Sequence, residues 1–161
     1  MTGIGVVSME GDHKLSPLLQ EKYDEGDSKI SPDERWIAND SNESEKSEVY
    51  VRPFPEVNKG KWQVSTNGGN LPLWSPNGKE LFYRNGDSVA AVAVQTEPTF
   101  NPGKAETLFK GQYGECAINP DGKRFLMMKE VRSTASETAG PRKINIVLNW
   151  FEELKQLVTV K

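Results

Sequence analysis

Cysteine and histidine are almost absent from this chain. Cys116 is the one cysteine and His13 the one histidine among 161 residues. A single cysteine cannot form an internal disulfide, and a single histidine cannot build a multi-histidine metal site. The counts exclude a disulfide scaffold and a zinc module, and the sequence predicts neither a metal nor any other cofactor.

Long apolar runs are lacking as well. Residues 1–7 contain no basic residue ahead of their short apolar run, and no stretch approaches the roughly 20 apolar residues that span a bilayer. The sequence as given therefore predicts no export signal and no membrane partner, and we expect a cytoplasmic protein.

Charge of one sign is not in excess. The chain has 20 basic and 23 acidic residues, a net charge of −3, and these charges are spread along its length. Nucleic-acid binding normally needs a basic stripe, so a nucleic-acid partner is not expected. The length suits a single domain that can bury a real core.

An internal repeat is the informative feature. Three copies of a Pro-centred turn begin 44 residues apart, at Ser31, Ser75 and Asn119. Each copy has Ser or Asn first, Pro second and Asp or Asn third, and two copies have Gly where a positive φ is favoured. We assign these residues as structural repeat turns: Ser31, Pro32, Asp33; Ser75, Pro76, Asn77, Gly78; Asn119, Pro120, Asp121, Gly122. Glu34 takes the Gly position in the first copy, which predicts either strain or a different turn there.

Each turn lies between short apolar segments typical of strands. The residues after the turns read Trp36-Ile37-Ala38, Leu81-Phe82-Tyr83 and Phe125-Leu126-Met127-Met128. Each unit has one segment before the turn, the strand directly after the turn and two further segments, which makes four strands in about 44 residues. This is the strand count and the period of a propeller blade. The sequence predicts an all-β propeller of four-stranded antiparallel blades, in which Trp36, Trp62, Trp74 and Phe82 pack between blades.

The same residues carry a resemblance to a family. Ser31 to Arg35, Ser75 to Lys79 and Asn119 to Lys123 are similar to the Ser-Pro-Asp-Gly-Lys turn of TolB-like and WD-like β-propeller repeats. The stretch Glu48 to Pro55 and the end of the chain, Ile144 to Leu154, resemble the propeller region C-terminal to bacterial serine/threonine kinase-like sensor proteins. The resemblance implies protein–protein interaction or sensing. It implies no kinase activity, because the chain has no kinase motif.

The blades are assigned as follows. Residues 28–67 and 71–110 are predicted as complete blades, 115–150 as an incomplete blade, 1–20 as the outer half of a blade, and 151–158 as a short C-terminal helix. About three blades are too few for a closed propeller, which usually has at least four. We therefore expect a homodimer that closes a six-bladed ring, in which the N-terminal strands of one chain complete the last blade of the other. A fragment of a longer propeller is the alternative.

No residue is predicted to be catalytic. His13 falls in a polar turn, and Cys116 falls in an inner strand, where a core thiol is expected. The carboxylate groups Asp24, Glu25, Asp27 and Glu152, Glu153 are expected to be solvated. Residues 39–46 are predicted to form an acidic loop whose oxygen atoms could in principle coordinate calcium, but they lack the ordered alternation of an EF-hand loop.

Three functions remain open at this stage. The first is a non-catalytic scaffold that binds a protein partner at a propeller rim. The second is a lyase- or hydrolase-type enzyme with a site on the propeller axis, which one histidine makes difficult. The third is a fragment of a larger propeller protein with no function of its own.

Overall fold

Twelve β-strands account for the regular structure of residues 1–129, which are the residues that the computed structural model describes. They form two hairpins and two four-stranded sheets, all antiparallel. The N-terminal hairpin contains β1 (Ile4–Val7) and β2 (Leu15–Leu19). The first sheet contains β3 (Glu25–Ile30), β4 (Trp36–Ser41), β5 (Glu48–Pro53) and β6 (Trp62–Gln63).

The second half of the described chain repeats this plan. The second sheet contains β7 (Asn70–Trp74), β8 (Glu80–Asn85), β9 (Ser88–Gln95) and β10 (Asn101–Lys110). The last hairpin contains β11 (Tyr113–Ile118) and β12 (Phe125–Lys129). One 3-10 turn, Val57–Lys59, follows β5. The all-β class is confirmed for this part of the chain. The part of the predicted incomplete blade from residue 130 to residue 150 and the helix expected at 151–158 lie outside the described residues.

Both four-stranded sheets are meanders. Strands adjacent in sequence are adjacent in space, in the orders β3-β4-β5-β6 and β7-β8-β9-β10. The connections are short, and every pair of neighbours is antiparallel. Among residues 1–129, no helix has the length or the apolar character needed to cross a membrane.

The core lies between the facing surfaces of the two sheets. Alternate residues of the central strands, Ala38 and Val51 in the first sheet and Leu81 and Val92 in the second, are fully buried there. Phe100, which precedes β10, is 2% exposed and lies among three indoles. Its ring centroid is 5.3 Å from Trp36, 5.9 Å from Trp62 and 6.3 Å from Trp74. Aromatic residues of both sheets thus meet at one point, as the sequence predicted for the tryptophans.

Smaller contacts join the hairpins to the outer surfaces of the sheets. Leu19 of the N-terminal hairpin packs with Ile37 of the first sheet and with Val57 of the 3-10 turn. On the second sheet, Phe82 meets Phe125 of the last hairpin edge to face, with ring centroids 5.0 Å apart. The order along the stack is therefore N-terminal hairpin, first sheet, second sheet, last hairpin.

The repeat turns connect the first and second strands of each unit. Ser31 and Ser75 are buried, and each hydroxyl accepts a hydrogen bond from a backbone N–H five residues later, at 3.0 Å from Trp36 and 2.9 Å from Glu80. Each hydroxyl also donates to the third turn residue, Asp33 or Asn77. Serine suits these two positions because its small side chain can both donate and accept a hydrogen bond at the base of the hairpin.

Glu34 adopts the same turn as its glycine counterparts. Its N–H donates to Ser31 O at 2.9 Å, and Gly78 N–H donates to Ser75 O at the same distance. The φ angles are +57° at Glu34, +68° at Gly78 and +70° at Gly122. Of the two outcomes expected for Glu34, strain is therefore the one observed, because a side chain in this region is unfavourable.

We predict that Glu34→Gly raises the free energy of unfolding by about 0.5–1 kcal/mol, since the relief of left-handed strain exceeds the entropy that glycine adds to the unfolded chain. Urea unfolding at neutral pH measures the change. Gly78→Ala, at the equivalent position, is the matched control and should lower the free energy by about 1 kcal/mol. Destabilisation by Glu34→Gly would contradict this account of the turn.

We predict that Phe100→Ala lowers the free energy of unfolding by about 3–5 kcal/mol, because it leaves a cavity among the three indoles. The same denaturation measurement applies. Leu108→Ala removes a leucine that is 47% exposed and should change the value by no more than about 0.5 kcal/mol. Equal effects of the two substitutions would rule out Phe100 as the centre of the core.

Candidate functional site

A polar groove opens between the outer parts of the two sheets. Its volume is about 510 Å³. It exists because β6 has two residues whereas β10 has ten, so the first sheet ends before it covers the outer part of the second. Three segments line the groove: the connection after β6 at Thr66 and Asn67, the β8–β9 turn from Asn85 to Ser88, and β10 from Lys104 to Thr107.

Tyr83 lines the groove from within the second sheet. It belongs to β8, is 5% exposed, and is part of the core between the two sheets. Burial raises the pKa of its phenol, and the negative charge of Glu48 acts in the same direction. The hydroxyl therefore stays protonated at neutral pH, and it can donate or accept a hydrogen bond.

Glu48 is the buried carboxylate behind Tyr83. It is 3% exposed and accepts hydrogen bonds from Ser65 Oγ and, at 2.8 Å, from Gly68 N. These bonds hold the chain after β6 in place. A Cβ at Gly69 would lie 2.5 Å from Ser65 Oγ and 3.1 Å from the Tyr83 ring, so only glycine allows this close approach.

The side chains around the groove have hydrogen-bonding capacity to spare. Within residues 1–129, no side-chain hydrogen bond or ion pair is made by Thr66, Asn67, Asn85, Lys104, Glu106 or Thr107. Both charge signs and neutral amides are present, so the groove suits a ligand that offers alternating donors and acceptors. A peptide backbone with polar side chains has that character.

A second, smaller cleft lies where the first strands of three units meet. Its volume is about 120 Å³, and it is lined by Asp27 and Lys29 of β3, Leu71 to Leu73 at β7, and Glu115 and Cys116 of β11. Cys116 is half-buried rather than a core residue, and burial raises the pKa of its thiol, with a smaller opposing effect from Arg84. A thiol in that state is a poor nucleophile at neutral pH.

Asp24, Glu25 and Asp27 were all predicted to be solvated, and this prediction is wrong for Glu25. Asp24 and Asp27 are exposed, but Glu25 begins β3 and is 4% exposed. Its carboxylate accepts hydrogen bonds from Asn39 Nδ2 at 2.5 Å and Ser41 Oγ at 3.1 Å. Burial is the largest effect on the Glu25 pKa and raises it, despite those hydrogen bonds and the nearby Arg52 charge.

Residues 39–46 are also only partly a loop. Asn39, Asp40 and Ser41 belong to β4, and Asn39 is completely buried beside Glu25. The remaining residues form a turn without converging oxygen ligands. Across residues 1–129, no group of three or more His, Cys, Asp or Glu side chains could hold a metal ion.

The remaining sequence assignments are placed as follows. His13 is exposed in the β1–β2 turn, where its Nδ1 lies 3.0 Å from Ser8 O. The three repeat turns stack on one another: a Cβ at Gly78 would lie 3.7 Å from Pro32, and one at Gly122 would lie 3.7 Å from Pro76. None of the turn residues lines the polar groove.

Sequence analysis did not identify the polar groove. Its residues come from three segments that follow no common motif, and only the Gly-rich segment from Thr66 to Asn70 offers a local signal for an unusual backbone. No model of a known protein family matches the chain, and no curated protein matches it. The geometry of the groove and of the sheets that form it is therefore the basis on which a function can be assigned.

We predict that Glu25→Gln gains stability relative to the unsubstituted chain as the pH rises. A carboxyl whose folded pKa lies above its ordinary value of 4.5 stabilises the fold below that pH and loses the contribution as the pH rises through the folded pKa. Glutamine does not titrate, so the difference should grow as the pH rises above the ordinary carboxyl pKa of 4.5. Urea unfolding at several pH values measures it.

Asp33→Asn is the control with the opposite sign. Burial of Asp33 favours a higher pKa, but hydrogen bonds from Ser31 and Arg35 outweigh it and leave the pKa below 3.8. Such a group stabilises the fold above its ordinary pKa, and this contribution is lost as the pH falls. Parallel pH profiles for the two variants would contradict the assignment of Glu25 as a destabilised buried carboxylate.

Proposed function

We propose that this chain forms part of a β-propeller and acts as a non-catalytic module that binds a protein segment in the polar groove. The stack of sheets supports the propeller. Strand β7 contacts β3 on one side and β11 on the other, and Trp74 Nε1 donates to Lys29 O at 3.0 Å. First strands side by side, with turns stacked at one end, are the arrangement of consecutive propeller blades. The TolB-like turn sequence favours the same fold.

The observation that carries the binding function is the groove itself. Its sides belong to two sheets packed together around Phe100, so the backbone that carries the polar side chains is rigid and loses little freedom on binding. The chain after β6 is fixed from behind by Glu48. Polar side chains with free donors and acceptors, carried by two rigid elements, are typical of recognition surfaces on propeller rims.

The chemistry of the described residues supports binding rather than catalysis. His13 lies in an exposed turn away from the groove, and the Cys116 thiol has a raised pKa. The buried carboxylates Glu25 and Glu48 have their oxygens engaged by hydrogen bonds from neighbouring side chains and backbone. A general base or nucleophile needs a free, suitably poised group next to a substrate site.

The test is selection of binders from a random peptide library, followed by affinity measurement on groove variants. We expect peptides to be selected, and we expect Tyr83→Phe and Asn67→Ala each to weaken their binding by about tenfold, the cost of one lost hydrogen bond in a partly buried site. Lys79→Ala, on the turn at the other end of β8, is the matched control and should leave affinity unchanged. Circular dichroism verifies that each variant is folded.

Two outcomes would refute the proposal. One is a library that gives no binder, and the other is a set of binders whose affinity is insensitive to both groove variants. Turnover of a substrate by the purified chain would refute the non-catalytic part of the proposal separately.

A further inference from the structure

Two alanines, Ala90 of β9 and Ala105 of β10, line the polar groove. The repeat identifies their counterparts in the first sheet. Lys61 precedes Ala105 by the 44-residue period. Tyr50 corresponds to Ala90, because Tyr50 pairs with the residue two positions after Lys61 and Ala90 pairs with the residue two positions after Ala105. Two large side chains of the first unit are therefore replaced by two methyl groups in the second, which adds to the depth of the groove.

The first unit shows which side chain occupies this position. The Lys61 ammonium group is bonded to the carboxylate of Glu43, lies 3.6 Å from Glu21 Oε2, and lies 4.9 Å from the centroid of the Tyr50 ring. A lysine side chain has an alkyl stem that packs on apolar surface and an ammonium group that binds carboxylates and aromatic rings. The repeat unit therefore accommodates a lysine at this place in its own fold.

The groove has a carboxylate at the position equivalent to Glu43. Glu43 lies in the connection between the second and third strands of its sheet, and Asp87 lies in the corresponding β8–β9 turn. Among residues 1–129, Asp87 forms no ion pair, and its side chain accepts one hydrogen bond, from Ser88 Oγ at 3.1 Å. Within this part of the chain, its charge is available to a cationic group of a ligand.

The other charges around the groove favour a cation as well. Lys104 and Glu106 both line it, and their charges offset one another. Glu48 lies behind the groove, where its negative charge acts on Tyr83. The charges of Asp87 and Glu48 are therefore left without an opposing cation in the lining. A partly enclosed site of negative potential attracts a positively charged group.

We propose that the groove binds a lysine side chain of the protein segment, with the alkyl stem over Ala90 and Ala105 and the ammonium group at Asp87. The contact repeats, between two molecules, the one that Lys61 and Glu43 make within the first unit. This inference rests on the function proposed above and specifies its ligand as a segment that presents a lysine.

The peptides selected in the test above provide the first measurement. We expect a lysine at one shared position in them. Replacement of that lysine by norleucine keeps the alkyl stem and removes the charge, and it should weaken binding by about tenfold, the loss of a charge-assisted hydrogen bond in a partly enclosed site. The same replacement at a lysine added to the end of the peptide is the matched control and should leave affinity unchanged.

Variants of the protein test the other half of the contact. Asp87→Asn should weaken binding of the same peptide by about fivefold at low salt, and the difference should shrink toward about 1 M salt, where an exposed ion pair is screened. Asp12→Asn removes an exposed carboxylate from the β1–β2 turn, outside the groove, and is the matched control.

Ala105→Lys gives the second unit the lysine that the first unit has. Its side chain should occupy the site in place of the ligand and weaken peptide binding by at least tenfold. Leu108→Lys adds the same charge on the same strand outside the groove and should leave affinity unchanged. Circular dichroism verifies that each variant is folded.

Several results would overturn the inference and leave the proposed function intact. One is a set of peptides whose affinity depends on Tyr83 and Asn67 but which share no lysine. Another is a shared lysine whose replacement by norleucine, or the loss of the Asp87 charge, has no effect on affinity. Peptide binding by Ala105→Lys as tight as that of the unsubstituted chain would also overturn it. A library that gives no binder refutes the proposed function, and the lysine site with it.

Discussion

The packing between the first and second sheets is the contact on which the rest of the described structure depends. Phe100 contacts Trp36, Trp62 and Trp74 from a single position between them. Together with the hydrogen bond from Trp74 Nε1 to Lys29 O, this contact fixes the separation and orientation of the two meanders. Without this contact, the apolar residues that the two sheets turn toward one another would be exposed to water. The groove is a consequence of the same contact, because it is the outer region where the two sheets are held together but β6 is too short to fill the space.

The repeat turns set how each unit begins. A buried serine hydroxyl joins the first strand to the second in two of the three turns, and the stacking of glycine on the preceding proline brings successive turns together. These contacts are local or between neighbours, so each unit can form with the same geometry wherever it occurs in the chain. That is the physical basis of a fold built from repeats, in which each unit needs a neighbour to bury its surface.

The strands and their grouping were predictable from the sequence, because turn chemistry and period-two alternation are local signals. The strand after each turn, at Trp36, Glu80 and Phe125, begins within one residue of its predicted start. Glu25 and Asn39 were misjudged for the opposite reason: their burial depends on cross-strand partners that the sequence does not indicate. The groove was unpredictable because it arises from a difference in length between β6 and β10, strands that belong to different units.

Glu25 and the groove illustrate two uses of polar groups in the same sheets. Glu25 and Asn39 satisfy one another inside the first sheet at the cost of desolvating a carboxylate, which gives a pH-sensitive contribution to stability and leaves little capacity for a ligand. Around the groove, Asn67 and Asn85 keep their hydrogen-bonding capacity at the surface, where it is open to water. Burial thus decides whether a polar side chain of these sheets makes a pH-dependent contribution to stability or stays available for the binding function proposed above.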